Sequence, residues 1–213
     1  MGHPPRLFVP GLSLHVIRRG NNRTAIAVAN EDYVVLLRTI QDAAGDYGVL
    51  VHSYVVMTNH YHLLVTPQRE LALQEMMKEV GEQYVRYFNG KYDRIGTLWT
   101  GRYRALSIHD DQYGLACLRY IEQNPVRAGM VKSPDEYRWS SYRFHAFGDT
   151  VDWLLPHRAY VALGATPAPR QCAYRAICGV PLTGDELAQQ RRRRQMSQVS
   201  DVSDVSDTFL QVT

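Results

Sequence analysis

Two short apolar runs on either side of a polar turn, at residues 54–65, constrain the fold of this chain more than any other stretch. The sequence there is YVVMTNHYHLLV, and β-branched runs that flank a Thr-Asn pair predict a β-hairpin. Successive side chains of a strand point to opposite faces, so we expect His60 and His62 to share one face and Tyr61 to lie on the other. Two imidazoles at a fixed separation can bind one metal ion. The same spacing is also compatible with two histidines on a solvated strand face.

The bulk composition limits the class of protein. With 213 residues, 45% of them hydrophobic and 21% charged, the chain is typical of one good-sized globular domain, or of one domain with an extension. Its formal net charge of +3 is compatible with nucleic-acid binding but does not establish it. The three cysteines form no CxxC pair, and their odd number argues against a disulfide framework. No apolar run is long enough for a membrane helix and the N-terminus lacks the features of a signal peptide, so we expect a cytoplasmic protein.

The periodicity of apolar residues predicts alternating strands and helices in the first two thirds of the chain. Alternating apolar side chains predict a first strand near the N-terminus, and apolar residues at helical spacing predict three longer helices. Asn30 is a predicted N-cap, and Gly45 or Gly48 and then Gly90 are predicted to end the first two helices. The predicted elements are a strand at 12–18, a helix at 30–48, strands at 49–57 and 60–67, a helix at 73–90, a strand at 103–108 and a helix from 110 or 111 to about 124.

Two segments combine arginine with turn-forming or aromatic residues. The sequence RRGNNR at 18–23 predicts a turn after the first strand, with three arginines around it. Residues 89–105 are irregular and interleave arginine with aromatic residues, a composition that can bind phosphate and stack unpaired bases. Each segment is equally compatible with a solvated surface loop, the second one pinned by Trp99.

Tyr120 is a candidate nucleophile on the last of these predicted helices. Asn124 lies four residues further, hence on the same face one turn away, and Gln123 lies close to that face. Together with two histidines, a phenol and a carboxamide are the components of a phosphoryl-transfer site, which needs a nucleophile and ligands for a divalent cation. The chain has 14 tyrosines, however, so spacing alone does not select Tyr120, and a partly buried helix tyrosine is the ordinary alternative.

Changes in apolar periodicity and composition divide the chain into three predicted regions. Residues 1–150 hold the periodic strands and helices. Residues 151–195 are predicted to be a helical extension, with a proline-rich break at 165–170 and a further helix that ends in Arg191–Arg194. These four arginines could be solvated or could contact DNA phosphates. The Val-Ser-Asp repeat within 196–213 predicts a disordered, low-complexity tail.

Five short motifs, taken in order along the chain, closely resemble those of the REP-associated tyrosine transposases, relatives of the single-tyrosine HUH transposases of bacterial insertion sequences. Each motif is weak alone, but their combination and order are specific. The resemblance covers about residues 13–148, is looser over 150–195 and is absent from 196–213. The motifs are HVIRRGNNR at 15–23, MTNHYHLL at 57–64, LWTGRY at 98–103, YIEQNPVRAG at 120–129 and YRWSSY at 137–142.

The resemblance implies an α+β fold in which residues 1–150 form the catalytic domain. In this fold a ferredoxin-like antiparallel sheet with flanking helices, the HUH endonuclease core, presents the His-x-His pair, and a helical C-terminal extension follows. By motif matching, the implied site residues are Tyr120 as the nucleophile and, as ligands of Mg²⁺ or Mn²⁺, His60, His62 and Asn124. Gln123 remains an alternative to Asn124, because the wider superfamily has glutamine at the offset where this branch has asparagine.

The implied substrate is single-stranded DNA that carries palindromic hairpins. Tyr120 would attack a phosphate and form a 5′-phosphotyrosine link with release of a 3′-hydroxyl, and a second 3′-hydroxyl could reverse the step and join new strands. We expect a bacterial, nucleoid-associated protein that is a monomer or a homodimer. The expected DNA-binding residues are Arg18, Arg19, Asn21, Asn22, Arg23, Arg102, Tyr103, Arg104 and Arg127.

Two other functions are compatible with the same residues. One is a non-catalytic protein that binds single-stranded nucleic acid and has kept the fold, although the intact set of two histidines and a tyrosine argues against this. The other is a metal-dependent hydrolase that uses the histidine pair with water as its nucleophile. Only the tyrosine mechanism leads to a protein–DNA adduct that survives denaturation.

Overall fold

Four strands and seven helices make up the computed structural model, which describes residues 7–184 and 187–188. The strands are β1 at Ser13–Arg19, β2 at Val49–Val56, β3 at His60–Pro67 and β4 at Arg104–Ile108. The helices are α1 at Asn30–Tyr47, α2 at Ala72–Lys91, α3 at Asp111–Glu122, α4 at Asn124–Arg127, α5 at Tyr142–Phe147, α6 at Arg158–Val161 and α7 at Pro167–Cys178. Short 3₁₀ turns lie at Asn21–Arg23 and Pro134–Glu136. The strands and the three longer helices of the first 124 residues agree with the predicted ones within a few residues.

The four strands form one antiparallel sheet in the order β2-β3-β1-β4. The sheet separates two hydrophobic cores. Its back face, the side that carries Tyr61 and Leu63, packs against α1 and α2. Its opposite side, which carries His62 and Leu64 and is called the histidine face below, packs against α3. The predicted α+β fold, an antiparallel sheet with flanking helices followed by further helices, is confirmed.

The buried carboxylate of Asp32 joins the start of α1 to the end of α2. It accepts hydrogen bonds from the ammonium of Lys91 (2.7 Å), the hydroxyls of Tyr92 (2.6 Å) and Tyr87 (2.9 Å), and the N–H of Ala29 (2.8 Å). Burial alone would raise the pKa of Asp32, but the hydrogen bonds from Lys91, Tyr92 and the backbone outweigh it and hold the pKa well below its usual range. The charged form of Asp32 is therefore part of the folded structure.

The start of the first helix and the end of the second differ from the predicted ones by one or two residues, whereas the first helix ends at Gly48, one of its two predicted ends. Ala29, rather than Asn30, is the N-cap of α1, because the carboxylate of Asp32 reaches back to its N–H and replaces a side-chain cap. Gly48 ends α1 in the left-handed conformation, with φ of 69°. Gly90 does not adopt a positive φ, so α2 continues past it to Lys91 instead of ending there.

The helices that follow the sheet pack on the histidine face beside α3. Tyr160 of α6 and Tyr174 of α7 are buried in the same core as Leu118 of α3. The backbone of residues 154–155 also extends along β2, where the N–H of Leu155 donates to the carbonyl of Val51 at 2.9 Å. These helices therefore pack directly on the helix that carries the candidate nucleophile.

Two predictions for the C-terminal part have different outcomes. The proline-rich stretch at 165–170 was expected to break a helix, but Pro167 occupies the first position of α7. Proline suits that position because its missing N–H would have no helical partner there, so the stretch begins a helix. The helix that ends in Arg191–Arg194 and the repeat within 196–213 lie outside the described residues. Among the helices that are described, none is both long and apolar enough to cross a membrane.

Candidate active site

His60 and His62 lie on one face at the start of β3. Their ring centroids are 5.0 Å apart and their planes are inclined at 76°. His62 is buried, whereas His60, at the first position of the strand, is half-buried. Tyr61 points to the back face and packs edge-on against Trp99. The alternation predicted for these three residues is therefore observed, while metal binding stays a prediction.

His15 of β1 joins this pair, although the sequence analysis did not select it. Its Nε2 lies 2.8 Å from Nδ1 of His62, and the two rings stack with centroids 5.1 Å apart. The register of the sheet explains the contact, because Ile17 lies opposite His62 and His15 shares the face of Ile17. The alternation of side chains along the first strand indicates which face of the sheet His15 occupies. The pairing of that strand with β3 was not readable from local sequence.

Tyr120 of α3 completes the cluster. The helix crosses the histidine face, and the Tyr120 ring lies with its centroid 5.9 Å from the ring of His62 and 5.9 Å from that of His15. A phenol and imidazoles that are far apart in the sequence are thus in direct contact. The proximity of Tyr120 to His62 agrees with the predicted grouping, and His15 is an addition to it, while the chemical roles of these residues stay predictions.

Arg127 of α4 packs against the candidate nucleophile. Its guanidinium carbon lies 3.8 Å from the centroid of the Tyr120 ring, and its Nη1 donates to the Tyr120 carbonyl at 2.8 Å. A cation over an aromatic ring is attracted to its face, so this contact restricts how the phenol can turn. Arg127 is a predicted DNA-binding residue, and the structure places its guanidinium against the ring and the backbone of Tyr120.

Asn124 and Gln123, the two rivals for a ligand position, have different surroundings. The Nε2 of Gln123 donates to the carbonyls of Cys178 (2.6 Å) and Val180 (3.3 Å), so its amide is held at the end of α7. Asn124 is buried too, but the described residues offer no hydrogen bond to its Nδ2. A buried amide donor without a partner costs free energy unless a ligand or water satisfies the group. An acceptor such as a phosphate oxygen would satisfy this donor, whereas a cation would have to be bound by the Oδ1 of Asn124. The unpaired Nδ2 therefore favours Asn124 over Gln123 as the residue that faces a ligand.

The donor set of the cluster fits a divalent cation. Nδ1 of His60 is hydrogen-bonded to Oδ1 of Asn59 at 2.6 Å, and Nδ1 of His62 is hydrogen-bonded to Nε2 of His15. A metal ion would therefore be bound by the Nε2 atoms of His60 and His62. Two imidazoles and the Asn124 carboxamide would leave several coordination positions for water and phosphate, as Mg²⁺ sites usually do. No group of three His, Cys, Asp or Glu side chains in the described part of the chain could hold a metal, so the carboxamide is essential to the fit.

Two exposed arginines flank the cluster on the histidine face. Arg104 of β4 lies opposite Ile17, which in turn lies opposite His62, so the three form one row across the sheet. Arg19 lies opposite His60 in the same way. Both arginines are exposed, and a strand of nucleic acid on this face could reach them.

Arg18 lies on the other side of the sheet. It is opposite Tyr61 in the register, its guanidinium carbon is 4.7 Å from the Trp99 ring, and its Nη1 donates to the carbonyl of Met77 at 2.6 Å. A Cβ at Gly81 would lie 2.6 Å from the guanidinium, so the absence of a side chain there makes the room. The structure therefore separates Arg18 from the cluster with which it was predicted to act.

The remaining predicted DNA-binding residues occupy two loops beside the histidines. Asn21, Asn22 and Arg23 form the 3₁₀ turn after β1, in which Asn22 and Arg23 have positive φ values of 48° and 59°. The turn is tied to the tip of the hairpin by the N–H of Gly20, which donates to the Asn59 carbonyl at 2.8 Å. In the second loop, just before β4, Arg102 is exposed whereas Tyr103 is buried.

The comparisons with known proteins agree with this geometry. The family model described as "Transposase IS200 like" matches residues 8–124. The structure of a REP-associated tyrosine transposase bound to a REP hairpin has a TM-score of 0.58 and 20% sequence identity, covering 75% of this chain and 96% of that chain. A crystal structure from Deinococcus radiodurans R1, of a protein proposed to be a transposase, has a TM-score of 0.40 and 22% identity over 53% of this chain and 91% of that chain. The first of these supports the fold. None of the curated proteins matches the sequence.

Proposed function

We propose, from the premise that this chain belongs to the IS200-like transposase family, that it cleaves and rejoins single-stranded DNA through a covalent bond to Tyr120. The observation that carries the proposal is the contact of the Tyr120 ring with the histidine cluster, at a centroid distance of 5.9 Å from His62. A nucleophile and candidate metal ligands on separate elements are brought together on one face. A partly buried helix tyrosine with no chemical role would not require such neighbours.

The reaction is a transesterification at phosphorus. The Tyr120 hydroxyl loses its proton as its oxygen attacks phosphorus. The bond from phosphorus to the 3′ oxygen breaks, and that oxygen leaves as a 3′-hydroxyl after taking up a proton. The product is a 5′-phosphotyrosine, which keeps a phosphodiester, so a second 3′-hydroxyl can displace Tyr120 and join strands without an external energy source.

The neighbours of Tyr120 prepare it for this step. Arg127 limits the rotation of the phenol ring from one side, and the hydrogen bond between Nδ1 of His62 and Nε2 of His15 fixes the orientation of the His62 imidazole. We assign the ligand positions to His60, His62 and Asn124. A bound Mg²⁺ or Mn²⁺ would polarise the scissile phosphate and offset negative charge in the transition state.

The proposed substrate is single-stranded DNA with a hairpin. A REP hairpin is the molecule bound in the similar transposase structure, and this chain presents exposed arginines beside the histidine face. Arginines contact phosphates and thereby position a strand, without reading its sequence. Arg19 and Arg104 would hold the strand across the sheet, and Arg23 and Arg102 would extend the path along the two adjacent loops.

The test is a search for a denaturant-stable adduct between the protein and a labelled oligonucleotide. Hairpin-bearing single-stranded DNA is incubated with Mg²⁺ or Mn²⁺ and the wild-type protein, Tyr120→Phe or Tyr113→Phe. Tyr113 is a matched control, because it is a buried tyrosine of the same helix that lies in the hydrophobic core. We expect an adduct with the wild type and with Tyr113→Phe, none with Tyr120→Phe, and unchanged DNA binding by all three.

The other outcomes identify the competing functions. Binding without any cleavage by the wild-type protein would indicate a non-catalytic single-stranded DNA-binding protein. Metal-dependent cleavage without an adduct would indicate a hydrolase that uses water as the nucleophile. An adduct that peptide mapping places on a tyrosine other than Tyr120 would keep the reaction class and refute the assignment of the nucleophile.

A further inference from the structure

Glu122 lies in the sequence between the candidate nucleophile Tyr120 and the candidate ligand Asn124, and its carboxylate is completely buried. Glu122 is the last residue of α3, two residues after Tyr120 and two before Asn124. Its side chain has no exposed surface. A carboxylate loses a large hydration free energy when it is buried, so it is found inside proteins only where hydrogen bonds or charges replace the water.

Four side chains from three other parts of the fold donate to this carboxylate. Oε1 accepts from Ser53 of β2 (3.1 Å), from Ser141 just before α5 (2.5 Å) and from Nδ1 of His145 in α5 (2.8 Å). Oε2 accepts from the hydroxyl of Tyr174 in α7 at 2.6 Å. Ser53, Ser141, His145 and Tyr174 are themselves buried.

The arrangement acts as a clamp on the end of α3. A hydrogen bond to a charged acceptor is short, directional and about twice as strong as a neutral one. Donors that reach Glu122 from a strand and from two helices restrain both rotation and sliding of α3. Three of the four donors, Ser141, His145 and Tyr174, follow residue 124, where the match to the family model ends. Burial raises the pKa of Tyr174 well above its ordinary value, so its hydroxyl stays protonated and can donate.

We propose that Glu122 is a positioning residue, and that Ser141, His145 and Tyr174 hold it so that Tyr120 and Asn124 are set against the histidine pair. This inference rests on the proposed function of Tyr120. The helices after the sheet are then part of the cleavage apparatus, because they determine where the nucleophile stands. A shift of about 1 Å in a reacting group can cost on the order of 100-fold in rate, so small losses of restraint should be visible in the kinetics.

The experiment compares two clamp variants with a matched control. Tyr174→Phe removes one donor and keeps the ring, and Glu122→Gln removes the charge and keeps the shape. Tyr137→Phe is the control, because Tyr137 is also a buried tyrosine, and its hydroxyl donates to the Val56 carbonyl at 2.8 Å instead of to Glu122. All variants are made in the full-length chain.

Four measurements distinguish a positioning role from a general contribution to stability. Hydrogen exchange of the α3 amides reports on the restraint of the helix, and Mn²⁺ binding, followed by electron paramagnetic resonance, reports on the ligand Asn124. The rate constant of adduct formation is measured at saturating DNA and metal, beside the dissociation constant for the hairpin oligonucleotide. We expect both clamp variants to exchange faster in α3, to bind Mn²⁺ more weakly and to form adduct about 10- to 100-fold more slowly. Their DNA affinity, and all properties of Tyr137→Phe apart from stability, should stay close to wild type.

Each result bears on the inference directly. Adduct formation at the wild-type rate by both Tyr174→Phe and Glu122→Gln would overturn it and leave the proposed function intact. An equal loss of rate in Tyr137→Phe would overturn it too, because the loss would then reflect general destabilisation. If the wild-type protein itself forms no adduct with any hairpin oligonucleotide, the proposed function fails first and the inference fails with it.

Discussion

Asn124→Ala and Gln123→Ala should have opposite effects on stability and on cleavage. These adjacent residues are the two rivals for the third ligand position, and their surroundings differ. The Gln123 amide is held by the carbonyls of Cys178 and Val180, whereas the described residues offer the Asn124 amide no hydrogen bond. One residue therefore contributes mainly to the fold, and the other is proposed to contribute mainly to the reaction.

The magnitude for Gln123→Ala follows from its hydrogen bonds. The substitution removes one buried and one partly buried hydrogen bond, to the carbonyls of Cys178 and Val180, which costs about 1–3 kcal/mol of unfolding free energy. For a protein of this size that corresponds to a melting temperature lower by about 2–12 °C. Cleavage measured well below the melting temperature should persist, because the Gln123 amide is held by the backbone at the end of α7 and is not a proposed ligand.

Asn124→Ala should show the reverse pattern. Among the described residues, the Nδ2 of Asn124 has no partner to lose, so the free energy of unfolding should change by less than about 1 kcal/mol. The proposed carboxamide ligand is lost, however, and two imidazoles alone would hold Mg²⁺ or Mn²⁺ poorly. We expect weak Mn²⁺ binding and little or no adduct, even at DNA concentrations that saturate the protein.

The assay combines urea denaturation, Mn²⁺ titration by electron paramagnetic resonance and adduct formation on the same three proteins. Wild type, Gln123→Ala and Asn124→Ala are compared at one pH and one salt concentration. Normal cleavage by Asn124→Ala together with loss of Mn²⁺ binding in Gln123→Ala would refute the reasoning. In that case the amide of Gln123 would have to leave α7 when the metal binds.

Four further substitutions test the roles of single side chains. His62→Ala should weaken Mn²⁺ binding, and an unchanged titration would remove His62 from the ligand set. Arg104→Ala should make the slope of log affinity for single-stranded DNA against log salt less steep by about 0.7. Arg18→Ala should instead lower the melting temperature and leave that slope unchanged. Equal slopes for Arg104→Ala and Arg18→Ala would contradict the assignment of these two arginines to opposite faces of the sheet. Asp32→Asn should destabilise the protein near neutral pH but not in strong acid. Because the pKa of Asp32 is lower in the folded than in the unfolded protein, its contribution to stability is complete above the unfolded pKa of about 3.9 and is lost as the pH falls through the folded pKa. A difference in stability between wild type and Asp32→Asn that persists in strong acid would show that the charge of Asp32 is not its cause.

The parts of the site that lie close together in the sequence could be predicted from it. The His-x-His pair depends only on strand alternation, and the Tyr120–Asn124 pair depends only on helical spacing. The separation of Arg18 from Arg19 could also have been predicted. Alternation in the first strand puts Arg18 on the side of the buried apolar Val16, which is the back face.

His15 could not be predicted in the same way, because its contact depends on which strand pairs with β1. It meets His62 across 47 residues of sequence, and a shift of the register by one residue would turn it to the back face. Short-range sequence patterns indicate which side of a strand a residue occupies. They do not state which residue lies opposite, and that second fact decides whether a histidine belongs to the site.

The same reasoning explains why the role of the C-terminal helices could not be read from the sequence. Glu122 belongs to a recognisable motif, yet its donors Ser53, Ser141, His145 and Tyr174 lie 69, 19, 23 and 52 residues away from it. A buried carboxylate is tolerated only when the whole set of donors is present, so this residue couples the motif to parts of the chain that share no local pattern with it. The short motifs supply the chemical groups of the proposed site, and the long-range hydrogen bonds determine the distances between them. A substitution in α7 should therefore impair cleavage although α7 carries none of the reacting groups.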